Sequence, residues 1–319
     1  MTKKTYAYYP GCSLQHGNHA YGVSTEAVAR QLDIELVEID DWNCCGATEY
    51  MSINRLPAYA LIARNLARAA NENGEHDLVV PCSACFLNLH KTDKQMKEFP
   101  EWSEKINRSL AAGNLQYEPG TIKVRHWLEA ITTDFGSDNL KTRVKRPLYG
   151  LKLAPYYGCL VARPDSVFDS TEQPTVMDDM LAALGAEVTT DFSLKTFCCG
   201  GHMTQISEET ALGMIHQIIH NAVQAGADAI VTLCPMCQLN LDVYQGYANN
   251  LFETDYEMPI MFFTQVIGLA MGLSPKELGV GQEFVSMQPA IKKIQDVPPP
   301  KPKSERRPKQ ALPMPVMPE

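Results

Sequence analysis

The sequence predicts an α/β fold made of two pseudo-symmetric repeats, each with a small, mostly parallel sheet. A set of five cysteines occurs twice, about 150 residues apart, which indicates an internal duplication. Short apolar runs typical of buried strands alternate with longer stretches of helical periodicity. The order of these elements is the same in both repeats. Alternating strands and helices favour parallel sheets.

The predicted strands and helices can be placed in order. The strands in the first repeat are Thr5–Tyr9, Ile34–Ile39 and Asp77–Val80, and in the second Leu151–Tyr157, Glu187–Thr190 and Ala229–Leu233. Apolar side chains at helical spacing predict a helix around residues 56–70 in the first repeat and 212–223 in the second. The last strand of each repeat is a continuous apolar run, which is typical of a buried parallel strand.

Composition and charge are those of an ordinary globular protein. The 319 residues predict about two domains, with 45% hydrophobic and 20% charged residues and a net charge of −9. We place the first domain at residues 1–147 and the second at 148–295. The negative charge argues against nucleic acid as a partner. The start lacks a secretory signal and the apolar stretch 261–273 is too short for a membrane span, so we expect a cytoplasmic location.

Residues 296–319 form a segment of different composition, with eight prolines, three lysines and two arginines. Such a segment buries too little apolar surface to offset its ordering entropy. We predict a proline-rich extended tail. A docking strand that orders on a partner is the alternative.

All ten cysteines fall into the two matching sets. The first set is Cys12, Cys44, Cys45, Cys82 and Cys85, and the second is Cys159, Cys198, Cys199, Cys234 and Cys237. Each set contains a Cys-Cys-Gly triplet and a Cys-x-x-Cys pair. We expect them at the carboxyl ends of strands and the amino ends of helices, where α/β folds usually place their sites and where backbone N–H groups favour an anionic centre.

Thiolates are soft ligands that suit iron–sulfur clusters, zinc and copper(I). A reducing compartment disfavours structural disulfides, so we interpret the ten thiols as metal ligands or redox groups. Structural zinc takes four ligands, as ordinary cubane clusters do, and would leave one cysteine over in each repeat. Five per site therefore favours an unusual cluster, or four ligands and one mobile thiol. A zinc-stabilised scaffold without catalysis stays a rival hypothesis.

The pattern, with glycine after the Cys-Cys pair, resembles the CCG cysteine-rich domain, and two copies in one chain resemble the B-type subunit of heterodisulfide reductase over residues 5 to 285. This resemblance implies that each set of five holds a noncubane [4Fe-4S] cluster and that a disulfide is cleaved between the two clusters. It implies electrons from two partners, a ferredoxin-like one of type C and a flavin-containing one of type A. The chain itself has no Gly-x-Gly-x-x-Gly opening a βαβ unit, which argues against flavin or nicotinamide binding.

Several charged side chains near the cysteines are further candidates. His16, His19 and His202 follow cysteines, and His202, next to the second Cys-Cys-Gly, is the best candidate to donate a proton to a departing thiolate. Loop histidines without a catalytic role are the more common case. Arg163 and Lys195 could bind an anionic thiol cofactor, although surface charge is the more common explanation.

We therefore predict the iron–sulfur subunit of a complex that reduces, or reversibly forms, a disulfide. Similar chains also occur in non-classical succinate dehydrogenases and quinone-linked complexes, where the clusters relay electrons or anchor the enzyme. A membrane-bound version would be expected to carry an amphipathic helix, for which residues 277–294 offer a weak candidate. The disulfide substrate stays open.

Overall fold

A computed structural model describes residues 4–73, 76–164 and 166–298. It contains two four-stranded sheets, and every strand pair within them is parallel. The first sheet has the order β2-β1-β3-β4 and the second the order β6-β5-β7-β8. The strands are β1 (Lys4–Tyr8), β2 (Ile34–Glu38), β3 (Leu78–Val80), β4 (Val124–His126), β5 (Lys152–Tyr156), β6 (Glu187–Val188), β7 (Ala229–Thr232) and β8 (Ile260–Phe262). The predicted fold class is confirmed.

Helices connect the strands and cover the sheets. In the first half they are α1 (Cys12–Gln15), α2 (His19–Gln31), α3 (Glu49–Ile53), α4 (Arg55–Asn73), α5 (Ser83–Glu98), α6 (Pro100–Leu110), α7 (Trp127–Asp134) and α8 (Gly136–Arg143). In the second half they are α9 (Val176–Ala183), α10 (Glu208–Gln224), α11 (Pro235–Val243), α12 (Gln245–Phe252), α13 (Phe263–Ala270) and α14 (Gln288–Ile291). The predicted helices correspond to α4 and α10, and each helix extends beyond the residues of the apolar pattern that predicted it.

The fourth strand of each sheet was not predicted. β4 and β8 have three residues each, which is too short for a periodic pattern to show. Both pair in parallel with the strand that leads to a Cys-x-x-Cys pair, β4 with β3 and β8 with β7. β6 is shorter than predicted, because its ladder with β5 pairs only Glu187 and Val188.

The two halves share one continuous apolar core. Tyr21 of α2 stacks on Phe262 at the end of β8, with the ring centroids 4.1 Å apart and the planes 4° apart. Ser24 and Thr264, both fully buried, are hydrogen bonded at 2.6 Å, so that α13 of the second half packs on α2 of the first. The domain boundaries at 147/148 and 295/296 stay predictions.

Residues 277–294 do not form one helix. A short 3₁₀ turn (Pro275–Leu278) and the four-residue α14 are separated by Gly279 and Gly281, both with positive φ. Most of the predicted tail, from residue 299 on, lies outside the described residues. Across the part of the chain that the structure describes, no helix has the length and apolarity required to cross a membrane.

Candidate metal centre

The first five cysteines meet at the carboxyl edge of the first sheet. Cys12 begins α1 directly after β1, and Cys82 caps the amino end of α5. Cys12 Sγ lies 3.5 Å from Cys44 Sγ, and Cys45 Sγ lies 3.3 Å from Cys85 Sγ. Interactions between thiols that shift their pKa values also link Cys44 to Cys45 and Cys82 to Cys85. The five sulfurs therefore form one connected group.

The second set repeats this arrangement at the edge of the second sheet. Cys234 caps the amino end of α11 after β7. Cys159 lies beside Cys198, and Cys237 lies beside both Cys199 and Cys234, close enough for these thiols to shift one another's pKa values. The expected placement at strand and helix ends fits Cys12, Cys82, Cys159 and Cys234, whereas the two Cys-Cys pairs lie in irregular loops that follow β2 and β6. Their role as cluster ligands stays a prediction.

The two sets touch each other across the boundary between the halves. The thiols of Cys82 and Cys234 lie close enough that each shifts the pKa of the other, upward for Cys82 and downward for Cys234, and both residues are buried. Just before them, the hydroxyl of buried Tyr21 donates to the carbonyl oxygens of Pro81, at 2.9 Å, and Leu233, at 3.2 Å. Tyr21 therefore fixes the ends of β3 and β7 side by side.

Two glycines allow the backbone to pass close to the sulfurs. Gly11 has φ +76° and Gly158 has φ +70°, in a backbone region that residues with a Cβ atom rarely adopt. A Cβ atom on Gly11 would lie 2.9 Å from Cys85 Sγ, and one on Gly158 would lie 3.0 Å from Cys237 Sγ. Any larger residue at either position would displace a cysteine.

Two asparagines hold the Cys-Cys-Gly turns. Asn88 Nδ2 donates to the carbonyl oxygens of Cys45, at 3.1 Å, and Ala47, at 2.6 Å. Asn240 Nδ2 donates to those of Cys199, at 3.1 Å, and Gly201, at 2.8 Å. Neither asparagine was predicted to have a role. The repeated Asn-Leu three residues after each Cys-x-x-Cys pair was the signal that could have identified them.

Two tyrosines hold the residue before each Cys-Cys pair. Tyr9 Oη donates to the carbonyl oxygen of Asn43, and Tyr156 Oη donates to that of Phe197, both at 2.7 Å. Burial and the nearby cysteines raise the pKa of both tyrosines far above the usual range. Both hydroxyls therefore stay protonated and act as hydrogen-bond donors.

The first cysteine of each Cys-Cys pair has a lowered pKa. The thiol of Cys159 hydrogen bonds to Cys198 and, despite partial burial, this contact and the Gly200 N–H at 3.4 Å lower the pKa of Cys198 to about 6. The pKa of Cys44 is lowered in the same way, by contacts with neighbouring thiols and the Gly46 N–H. In this set of soft donors, each half contains at least one sulfur ready to bind as thiolate.

A cavity of about 550 Å³ opens against the second set of cysteines. All five members of the set line the cavity: Cys159, Cys198, Cys199, Cys234 and Cys237. The first half contributes the loop and helix that follow its own Cys-Cys-Gly, through Ala47, Thr48, Glu49, Ser52 and Ile53. Ile53 and Ile206, which lie on opposite halves of the rim, are 82% and 81% exposed. The cavity is therefore built by both halves.

Glu49 and His202 are hydrogen bonded across the boundary at this cavity. The contact joins Glu49 Oε1 to His202 Nδ1, and Thr48 Oγ1 lies 3.5 Å from the same nitrogen. His202 was singled out from the sequence. Glu49 was not, since it lies in the other half and no spacing connects the two.

The other charged side chains singled out from the sequence lie outside the cavity. His16 and His19 are exposed and do not line the cavity. Lys195 is buried and forms an ion pair with Asp178, and it also donates to the carbonyl oxygen of Pro174 at 3.1 Å. Arg163 donates to Thr196 Oγ1 at 3.0 Å. Neither cation lines the cavity, and Lys195 is not a surface charge.

The chemistry of the donor set fits an iron–sulfur centre. Within the ranges 4–73, 76–164 and 166–298, no three Cys, His, Asp or Glu side chains are arranged around the position of one metal ion. The thiols instead form a connected group of soft donors at two helix amino ends, with glycines leaving room beside them. Such a group suits an anionic cluster of several irons.

Comparison with known proteins places this arrangement in a family. The CCG family, described as a cysteine-rich domain, matches residues 6–90 and 153–242. The chain is 35% identical over 285 residues to the 8-methylmenaquinol:fumarate reductase membrane anchor subunit of Wolinella succinogenes, covering 89% of this chain and 98% of that one. It is 30% identical over 292 residues to the B-type subunit of the ferredoxin:CoB-CoM heterodisulfide reductase of Methanosarcina mazei, covering 90% and 96%.

A solved structure shares the fold. The crystal structure of a hypothetical protein from Helicobacter pylori aligns with a TM-score of 0.73 at 15% identity, covering 90% of this chain and 53% of that one. The chain thus spans about half the length of that protein, and at this identity the likeness shows the fold alone.

The two family matches coincide with the two cysteine sets. The chain therefore belongs to the family of iron–sulfur proteins with two CCG cysteine-rich domains that resemble the B-type subunit of heterodisulfide reductase.

Proposed function

We propose that this protein is the disulfide-reducing subunit of a heterodisulfide-reductase-type complex. The observation that carries the proposal is the contact between Cys82 and Cys234, which brings the two cysteine sets together. Disulfide reduction needs two electrons delivered to one bond, and two adjacent centres satisfy that requirement. The net reaction adds two electrons and two protons to a disulfide and releases two thiols, and it can run in reverse.

Cys12, Cys44, Cys45, Cys82 and Cys85 would hold one [4Fe-4S] cluster, and Cys159, Cys198, Cys199, Cys234 and Cys237 the other, both noncubane. When bound, each cluster would supply one electron to the disulfide. The protein itself positions the cysteines that would hold the clusters. Asn88 and Asn240 fix the Cys-Cys-Gly turns, and Tyr21 keeps the two sets in contact.

His202 is suited to deliver a proton in the same cavity. Glu49 accepts from His202 Nδ1, which fixes the tautomer and leaves Nε2 as the nitrogen that exchanges a proton with the departing thiolate. The cavity is mostly apolar around this pair, with Ile53, Leu160, Met203, Ile206 and Met236 in its walls. Such walls limit the access of water to the reacting sulfur.

Electrons would come from partner proteins. We propose a ferredoxin-like partner of type C as the direct donor, with a flavin-containing partner of type A upstream of it. Support comes from the relative in Methanosarcina mazei, whose name describes part of a ferredoxin-dependent reductase. The expected cytoplasmic location stays a prediction.

The test begins with anaerobic purification and counting of iron and sulfide, where we expect about eight of each per chain for two four-iron clusters. Reduction of small disulfides by a chemical donor should then be detected as thiol release. His202→Gln should lower the rate about a hundredfold, the scale of general acid catalysis, and His19→Gln should leave it unchanged. Bound zinc in place of iron would reject the proposed clusters. A wild-type rate in His202→Gln would reject His202 as the proton donor.

A second candidate function is a role in a quinol-linked complex. Two observations favour it: the apolar cavity with two exposed isoleucines at its rim, and the relative named as the membrane anchor subunit of an 8-methylmenaquinol:fumarate reductase. A water-soluble menaquinone analogue separates the candidates. Reoxidation of the reduced protein by the analogue, with none by disulfides, would favour this second function.

A further inference from the structure

We propose that the cavity selects thiols and disulfides whose end group is uncharged or cationic, and that Glu49 determines this specificity by repelling anionic ones. The proposal rests on the proposed function for the identity of the reaction. It concerns the part of the substrate beyond the sulfur, which the cysteines themselves do not define.

The charged side chains that line the cavity favour an uncharged or cationic end group. Among the described residues that line it, Glu49 is the only carboxylate, none is lysine or arginine, and His202 is the hydrogen-bond partner of Glu49. The two cations nearest in sequence to the second set, Arg163 and Lys195, are committed to Thr196 and to Asp178 outside the cavity. A sulfonate, phosphate or carboxylate at this position would therefore find no lysine or arginine among the lining residues.

Glu49 is ionised in this environment. Partial burial opposes its ionisation, but the hydrogen bonds from Thr48 and His202 outweigh burial and lower the pKa of the carboxyl group. The Thr48 hydroxyl donates to Glu49 Oε1 at 2.7 Å. The side chain is 44% exposed, so the carboxylate still presents its charge toward an entering ligand.

The walls of the cavity are apolar, which also disfavours an anionic ligand. Ile53 and Leu160 lie with Met203, Ile206 and Met236 around the approach to the cysteines. Removing a charged group from water into such walls without a partner is unfavourable, whereas an alkyl chain or a hydroxyl enters at little cost. Repulsion by Glu49 and desolvation by the walls act in the same direction against an anion.

Three thiols with the same two-carbon chain provide a matched test: 2-mercaptoethanol, cysteamine and 2-mercaptoethanesulfonate end in a hydroxyl, an ammonium and a sulfonate group. Each is titrated into the anaerobically purified full-length protein, and binding is followed by the change in the EPR spectrum of the clusters. We expect the sulfonate to bind about tenfold more weakly than the hydroxyl, as expected for two like charges a few ångströms apart at a partly exposed site.

Glu49→Gln keeps the hydrogen-bonding shape of the side chain and removes its charge. It should bring the ratio between the sulfonate and the hydroxyl to within about threefold, since the Coulomb repulsion is gone. Glu257→Gln is the matched control, because Glu257 is exposed and precedes β8 at the opposite edge of that sheet. It should leave the wild-type ratio unchanged.

The outcomes separate this inference from the proposed function. Sulfonate binding as tight as that of the hydroxyl, or a ratio that Glu49→Gln does not change, overturns the inference alone. Thiol binding with the expected order but no reduction of the corresponding disulfides overturns the proposed function and supports the inference. If none of the three thiols changes the spectrum, both are rejected.

Discussion

The thiols of Cys82 and Cys234 lie next to each other, although 152 positions separate them and they belong to different repeats. The contact exists because Tyr21 of the first half stacks on Phe262 of the second and donates to the carbonyl groups that precede both cysteines. The geometry of the shared interface therefore sets the separation of the two cysteine sets. Changes at this interface should affect both centres at once.

The first prediction concerns this contact. Cys82→Ser should abolish the cluster of the first set and also alter the EPR signal of the second, because the hydroxyl cannot replace the thiol beside Cys234. Iron content should fall from about eight to about four per chain. Cys12→Ser is the matched control, since Cys12 is the exposed member of the same set. It should affect the first centre and leave the spectrum of the second unchanged. Identical spectra for the second centre in both variants would contradict the coupling.

The second prediction concerns the asparagines that hold the Cys-Cys-Gly turns. Asn240→Ala removes a buried donor from two carbonyl groups, which should lower the free energy of unfolding by about 1–3 kcal/mol. Urea denaturation of the purified protein measures this change. Asn250→Ala, at an exposed position in α12, should change it by less than about 0.5 kcal/mol. Equal effects of the two substitutions would show that the turn does not depend on Asn240.

The sequence predicted the edge where the ten cysteines lie but not their pairing. Parallel strands end at one edge of a sheet, so the cysteines that follow β1 and β3 had to lie together in the first half, and those that follow β5 and β7 in the second. The contact between Cys82 and Cys234 depends on how the halves dock, and no local pattern encodes that. The same limit applies to the cavity, where His202 was identified beside its own Cys-Cys pair but its partner Glu49 was not.

The third prediction concerns the glycines beside the sulfurs. Gly158→Ala places a methyl group 3.0 Å from Cys237 Sγ on a backbone with φ +70°, so both the contact and the conformation oppose it. We expect loss of the second cluster, measured as iron content and the EPR signal. Gly246→Ala is the control, because this glycine lies in α12 with nothing within 4 Å of the added atom. It should retain all iron and gain about 0.5–1 kcal/mol of stability. Full iron content in Gly158→Ala would show that the close approach is not required.

The last prediction concerns a charge cluster at the opposite edge of the first sheet. Burial alone would raise the pKa of Asp134, but hydrogen bonds from Arg125, Lys4 and Tyr6 lower it well below the usual range. A carboxyl group with a lowered pKa in the folded state contributes stability that is present above its unfolded pKa of about 4 and lost as the pH falls below that value. The wild type should therefore lose stability on acidification below about pH 4.

Asp134→Asn tests the origin of that loss. The side chain is 14% exposed and Arg125 is 5% exposed, so the substitution leaves a buried guanidinium with a weaker set of partners. We expect about 2 kcal/mol lower stability at pH 7 and a shallower decline below pH 4, measured by urea denaturation across pH. Asp138→Asn is the matched control, since that carboxylate is 96% exposed and its ion pair with Lys141 should contribute less than about 0.5 kcal/mol. If Asp134→Asn kept the wild-type dependence on pH, the acid sensitivity would have to come from other carboxylates. Because Lys4 begins β1 and Asp134 ends α7, far along the strands from the cysteine edge, iron content should stay the same in both variants.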